Sequence, residues 1–163
     1  MSKMIFHERE YGIFNYRTAG ILLHQNTLLL CKASNVPFRF LPGGRTEFFE
    51  SSKSGLLREL REELHETFSI QKLLLIAEDT FVGFNNNNVH EIVFYYLVNI
   101  PSNSHLLNKS YVSYENNDIR LDFDWFSVDK LEKIDFRPKY IIPYLKQPCK
   151  QPLHLIGPGF SNP

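Results

Sequence analysis

The stretch "LPGGRTEFFESSKSGLLRELREELH", residues 41–65, decides how this chain reads. A proline and two glycines open it, and five charges crowd the six residues from Arg58 to Glu63. A plain loop has no need of the glutamates, and a solvated helix has no need of the glycines. Residues 51–65 have the pattern of a helix: Ser51 or Ser52 can accept a bond from a first-turn amide. Leu56, Leu57, Leu60 and Leu64 recur at spacings that give one apolar stripe. Gly55 is a poor helix former, so something is expected to pack close to it.

On that helix Glu59, Glu62 and Glu63 fall at i, i+3 and i+4, which places three carboxylates in one sector. Three like charges on one face repel, by a few tenths of a kcal/mol per pair even when solvated. Arg58 reaches Glu62 at i+4 and relieves part of this, and Glu50 arrives from the loop just before the helix. Hard oxygen ligands suit Mg²⁺ or Mn²⁺ and suit zinc poorly. Such ions bind through a few carboxylates, waters and substrate phosphates, and Gly43 and Gly44 let the backbone come close to either. A run such as "RELREEL" taken alone is usually a solvated helix face.

The joint spacing changes that balance. Gly44, five residues, Glu50, seven residues, then Arg58-Glu59-Leu60-x-Glu62-Glu63 resembles the signature of the Nudix hydrolases, the MutT-like family. At ordinary residue frequencies a chance match at these seven positions has a probability on the order of 10⁻⁶. The preceding "LPGG" and the late "DWFSVDKL" followed by "FRP" resemble the usual surroundings of that signature. The resemblance implies an α/β fold, the Nudix fold, with a mixed β-sheet sandwiched between helices (α/β/α). One position departs: the family has glycine and then an aliphatic residue where this chain has His65 and Glu66. Because that glycine ends the helix, His65 is expected either at positive φ or inside a helix that runs on.

The resemblance also implies a function and a site. Nudix enzymes cleave a diphosphate joined to another group, commonly a nucleoside diphosphate linked to X, with Mg²⁺ or Mn²⁺. Carried over by position, Glu59, Glu62 and Glu63 are the expected metal ligands and, with Arg58, the expected catalytic residues. Gly43 and Gly44 are expected at the substrate, a carbonyl of one of them completing the metal shell. The general base varies in position within the family. Glu78, Glu91 and Glu115 lie outside the signature, and Glu91 enters the most apolar strand, so it is the candidate taken for the substrate side. His90 beside it reads as a packed or surface imidazole. Phe14, Phe38, Phe40, Phe81 and Phe84 flank the signature and are candidates to stack on a base. The competing reading is a Nudix-like domain that senses a nucleotide without hydrolysing it; such a domain is expected to lose a glutamate of the signature, and here all remain. The resemblance leaves the substrate undecided, and a homodimer open.

Composition sets the outer bounds. With 163 residues, 43% hydrophobic and 22% charged, the chain reads as one globular domain over residues 1–147. Residues 148–163, rich in proline and glycine, are expected to form a poorly ordered tail. Lys+Arg and Asp+Glu both number 18, which argues against a nucleic-acid polymer as partner but not against a small phosphorylated ligand. Cys31 and Cys149 are too few for a disulfide framework and lack metal-ligand spacing. The first residues show no secretory signal and no apolar run approaches 18 residues, so a cytoplasmic protein with no membrane span is expected.

Elsewhere, residues 13–33 read as two strands around a turn at His24–Thr27, and residues 34–50 as loop. Residues 68–83 and 89–100 read as a strand pair around the asparagine tip at 85–88. "LDFDWFS", residues 121–127, reads as a strand, "VDKLEKI" as a short helix, and residues 137–147 as another.

Overall fold

The computed structural model describes residues 4–83, 86–107, 109–115 and 118–160. Its elements are β1 (Phe6–Arg9), β2 (Gly12–Ile21), β3 (Leu23–His24), β4 (Thr27–Ala33), β5 (Gly43–Arg45), α1 (Ser52–Leu64), β6 (Ser69–Val82), β7 (Asn88–Asn99), β8 (Tyr111–Glu115), β9 (Ile119–Ser127), α2 (Ile142–Lys146) and β10 (Leu153–Ile156). Two 3₁₀ segments, Val128–Lys133 and Lys139–Ile141, precede α2.

One sheet runs β1-β2-β7-β6-β10, with β5 also on β2. It is mixed: β2 and β7 are parallel, β6 and β7 antiparallel, and β10 joins β6 in parallel. The expected mixed sheet between helices is present, as is a feature the sequence did not suggest. A second, antiparallel sheet runs β3-β4-β9-β8. Strand β4 is buried on both faces. Leu28 and Leu30 enter the apolar cluster that holds Ile141, Ile142 and Leu145, while Leu29 and Cys31 enter the cluster around α1. Alternation sorts β7 the same way, with Val93 and Tyr95 on the α2 side and Tyr96 and Val98 on the α1 side.

Helix α1 has clear local causes. Ser51 at the N-cap accepts from the Ser54 amide at 3.1 Å, and the Ser54 hydroxyl accepts from the Ser51 amide at 2.9 Å. Leu56, Leu60 and Leu64 are fully buried, each worth about 1.5–3 kcal/mol of transfer free energy. Gly20 of β2 lies beneath the helix, where a Cβ would touch the Leu60 methyls at 3.4 Å, an ordinary contact. The helix stops at His65, which takes the left-handed conformation at φ 54°, ψ 33° and donates its amide to the Arg61 carbonyl. His65 thus does the glycine's work with a side chain. Its Nδ1 lies 2.8 Å from the Tyr111 hydroxyl, an anchor glycine would lack.

The chain's end departs from expectation. Rather than trailing as a tail, Leu153–Ile156 pair with Leu75–Glu78 of β6, and the Gly157 amide donates to the Glu78 carbonyl at 2.7 Å. The prolines punctuate this region, but the four residues Leu153–Ile156 can still complete an open sheet edge. In the 85–88 tip, Asn86 has φ 64° as a turn asparagine should, whereas Asn85 and Phe84 lie outside the described residues. No described helix is long and apolar enough to cross a membrane.

The cap at His65 can be isolated by two substitutions that both delete the Tyr111 contact. His65→Gly should be more stable than His65→Ala by about 1 kcal/mol in denaturant unfolding, because only alanine retains the left-handed penalty. Equal stabilities would show that the conformation at His65 carries no cost.

Candidate active site

The site forms where the glycine loop meets the acidic face of α1. β5 lies on β2 with Gly43 opposite Ala19, Gly44 opposite Thr18 and Arg45 opposite Arg17. The two glycines are required for different reasons. Gly43 has φ +131°, and a Cβ there would fall 2.4 Å from the Thr18 carbonyl oxygen. At Gly44 a Cβ would fall 2.4 Å from the carboxyl carbon of Glu59. The Gly43 amide donates to Glu63 Oε2 at 3.0 Å. The loop therefore supplies an amide to one carboxylate and leaves room for another.

Arg58 organises the remaining acids. Its guanidinium donates to Glu50 at 2.8 and 3.3 Å, to Glu59 Oε1 at 2.8 Å, to Glu62 Oε2 at 3.2 Å and to the Arg45 carbonyl at 3.0 Å. A fork of fixed donors suits this arrangement in a way a lysine ammonium would not. Glu50 in turn accepts from the Glu47 amide at 2.7 Å and lies 3.0 Å from where a Gly55 Cβ would be. That is the close packing anticipated at Gly55.

The three helix carboxylates share a sector but not an environment. Glu62 is the outer one, its side chain 55% exposed, against 13% for Glu59. Burial, then the neighbouring Glu59, pushes the Glu63 carboxyl up to about 8, and the negative field of Glu115 adds to this while the Gly43 amide and Arg17 oppose it. Glu59 is also raised, by burial first, against the pull of Arg58. Glu50 is lowered, chiefly by its bond to Arg58. Glu59 and Glu63 are thus two crowded carboxylates that the protein alone leaves short of positive charge.

Among the described residues no three Asp, Glu, His or Cys side chains form a ready-made metal cage. A Mg²⁺ or Mn²⁺ site needs fewer, since such ions take one or two carboxylates and fill their shells with water and phosphate oxygens. The donor set fits: Glu59 and Glu63 are hard oxygen ligands, mutually repelling, beside a loop stripped of Cβ atoms.

On the same face of β2 as Ala19, a second charged group adjoins the loop. Arg17 lies 3.9 Å from Glu91, and Arg45 donates to the buried Asn15 at 3.1 Å. Burial and then the Arg17 charge lower the Arg45 guanidinium. The structure thus brings Glu91 next to the loop, engaged with Arg17, and Glu115 close enough to act on Glu59 and Glu63. Glu78 is elsewhere, 2.7 Å from His154 of β10. The sequence did not single out Asn15, Arg17 or Arg45; only the β2–β5 register shows that the two arginines are opposite each other. Of the aromatic candidates, Phe38 packs with Phe40 and under Arg137, Phe14 packs with His90, and Phe81 is half-exposed.

Phe49 is an anomaly at the rim. It adopts φ 69°, a conformation suited to glycine or asparagine, and its side chain is fully exposed beside the exposed Phe48. Phe49→Gly should therefore raise stability by about 1 kcal/mol, read by denaturant unfolding, and a loss would show that the ring is held by something. The glycine pair gives an ordering. Gly43→Ala should cost more than Gly44→Ala, since a backbone carbonyl blocks the first and a movable carboxylate the second. The reverse order in the same assay would contradict the geometry.

Comparison with curated protein sequences found no match. Among solved structures, the chain is similar to a MutT NUDIX hydrolase from Burkholderia pseudomallei, with a TM-score of 0.59 and 21% identity over 82% of this chain and 97% of that one. An ADP-ribose pyrophosphatase from Streptococcus suis gives 0.55 at 15% identity, covering 88% of this chain and 98% of its own. A UDP-X diphosphatase gives 0.60 at 16% identity, covering 90% and 69%. These likenesses carry the fold. The NUDIX domain family model matches residues 15–145, which span β2 to α2 and hold every position of the glycine loop and acidic helix. The chain therefore belongs to the Nudix family.

Proposed function

We propose that this enzyme uses Mg²⁺ or Mn²⁺ to cleave the diphosphate linkage of a small nucleoside diphosphate derivative in the cytoplasm. One observation carries the reading: charges of both signs are left crowded around one loop. Glu59 and Glu63 repel each other on one side of Gly43–Gly44, and Arg17 opposes Arg45 beside it. A cation bound with a diphosphate relieves both repulsions at once, which neither a neutral ligand nor a bare cation does.

In this reading Glu59 and Glu63 hold the metal, with Glu62 at the outer side of its shell. When bound, the metal polarises phosphate oxygens and lowers the pKa of a coordinated water. Arg58 fixes the orientation of Glu59 and Glu62 through its fork. Arg17 and Arg45 bind the diphosphate oxygens, Gly43 and Gly44 admit them close to the backbone, and Glu91 positions Arg17. The reading takes all these groups as contacts to a small molecule, and the balanced charge of the chain argues against a nucleic-acid polymer as partner.

The test is a panel of ADP-ribose, UDP-sugars and nucleoside triphosphates with Mg²⁺ or Mn²⁺, with products identified. Release of a nucleoside monophosphate or pyrophosphate from at least one supports the reading. Metal-dependent nucleotide binding with no turnover of any would replace it with nucleotide sensing.

Glu63→Gln keeps the side chain's size and an acceptor for the Gly43 amide but removes the charge. It should lower kcat at saturating Mg²⁺ by about 100-fold or more. Near-normal turnover would remove the metal from this helix. Without metal, the variant should melt no lower than the wild type. The sign follows from a folded-state pKa near 8 against an ordinary value of 4.5. Ionising Glu63 destabilises the fold, and the loss grows as pH rises from 4.5 through 8. The variant's advantage in Tm should therefore be small at pH 5 and larger at pH 8 in EDTA. A difference independent of pH would show that Glu63 is not held in a charge-averse position.

A further inference from the structure

Asp79 of β6 carries a buried carboxylate outside the glycine loop and the acidic helix. The strand registers put it in a row with Glu91 of β7 and Asn15 of β2, on one face of the main sheet. The next row on that face is Ala77, Val93, Arg17 and Arg45. Asp79 therefore shares a face with both arginines, two strands across and two residues along from Arg17. At strand spacings that is about 12 Å between backbones. A nucleoside diphosphate covers such a span between its phosphates and the outer edge of its base. Phe81, two residues further along β6, is on the same face and 44% exposed.

The end of the chain fixes this carboxylate. Asp79 Oδ1 accepts from the Thr80 amide at 2.9 Å and from the Gly159 amide at 3.1 Å. The approach requires a glycine at 157, where a Cβ would run into the Asp79 carboxyl group. With both amides on Oδ1, Oδ2 has no hydrogen-bond partner among the described residues. Tyr140 lies near this row. Burial pushes its hydroxyl up to about 12, and the charges of Asp79 and Glu91 add to this against its bond to Tyr95. A nearly buried acceptor without a donor is costly unless a ligand supplies one.

We propose that Asp79 reads the base of the substrate and selects one that carries an exocyclic amino group. This assignment rests on the reading in which Arg17 and Arg45 hold the diphosphate, and it adds which nucleosides are taken. A carboxylate oxygen only accepts, so it pairs with the amino hydrogens of adenine, guanine or cytosine. Facing uracil, it meets a carbonyl oxygen on either side of the ring N–H and is left poorly paired. Phe81 gives the base a ring to lie against.

Calorimetric titration with Mg²⁺ and α,β-methylene nucleoside diphosphates, whose bridge resists hydrolysis, tests the assignment in two size-matched pairs. The CDP analogue is compared with that of UDP, and the ADP analogue with its 6-deamino counterpart. One member of each pair thus carries the amino group and the other lacks it. The wild type should bind the amino-bearing member about tenfold or more tightly in at least one pair. Asp79→Asn keeps an oxygen for the two amides and turns an NH₂ toward the base. It should erase or reverse the preference while retaining affinity for the UDP analogue, which a misfolded variant could not do. Equal affinities within both pairs, or a preference that survives in Asp79→Asn, would overturn the inference and leave the diphosphate reading standing. A uniform loss for all four ligands in Asp79→Asn would make the residue structural and overturn it too. Binding of none of the four by the wild type would overturn both the inference and the reading beneath it.

Discussion

The proposed chemistry depends on one close approach: the backbone at Gly43–Gly44 against the carboxylates of Glu59 and Glu63. The approach is possible because Gly44 has no Cβ where the Glu59 carboxylate lies, and because Gly43 adopts a φ of +131° that leaves its amide pointing at Glu63. Each side constrains the other. The helix is held in place by Leu56, Leu60 and Leu64 on the leucine stripe. The loop is held by its pairing with Arg17–Ala19. Packing outside the proposed site therefore fixes the separation of the groups assigned to it.

The cost of this arrangement is electrostatic. Burial and the neighbouring Glu59 raise the proton affinity of Glu63, and the guanidinium of Arg58 is spread over Glu50, Glu59 and Glu62. On the proposed function, a cation bound with an anion would favour the ionised form of Glu63, which the fold alone disfavours. Pre-organisation of this kind puts the interaction energy where charge is transferred, not where the chain folds.

Much of this was legible in the sequence because its signals are local. Helix α1, its serine cap, the shared sector of the glutamates and the packing at Gly55 all follow from spacings within 25 residues, while the odd cap at His65 was signalled only by its departure from the family pattern. The strand pair was legible from apolar runs, and the mixed sheet only through the resemblance to the Nudix family. What escaped depends on distant partners. Strands β1, β5 and β8 have only three to five residues each, too few to show a period. Strand β10 is interrupted by prolines on its approach and forms only because β6 offers it an edge. Arg17 and Arg45 are 28 positions apart, and nothing but the strand register reveals that they face each other. Glu91 was legible as a candidate by its place in an apolar strand, but its engagement with Arg17 was not.

The central claim is that the cation enters between the glycine loop and α1. Titrating ¹⁵N-labelled protein with Mn²⁺ and following paramagnetic loss of amide signals tests it directly, because the effect falls steeply with distance from the ion. The account predicts that the amides of Gly43, Gly44, Glu59 and Glu63 vanish first and together, and that Mg²⁺ in excess restores them. Bleaching that begins elsewhere, with those four amides intact, would contradict it.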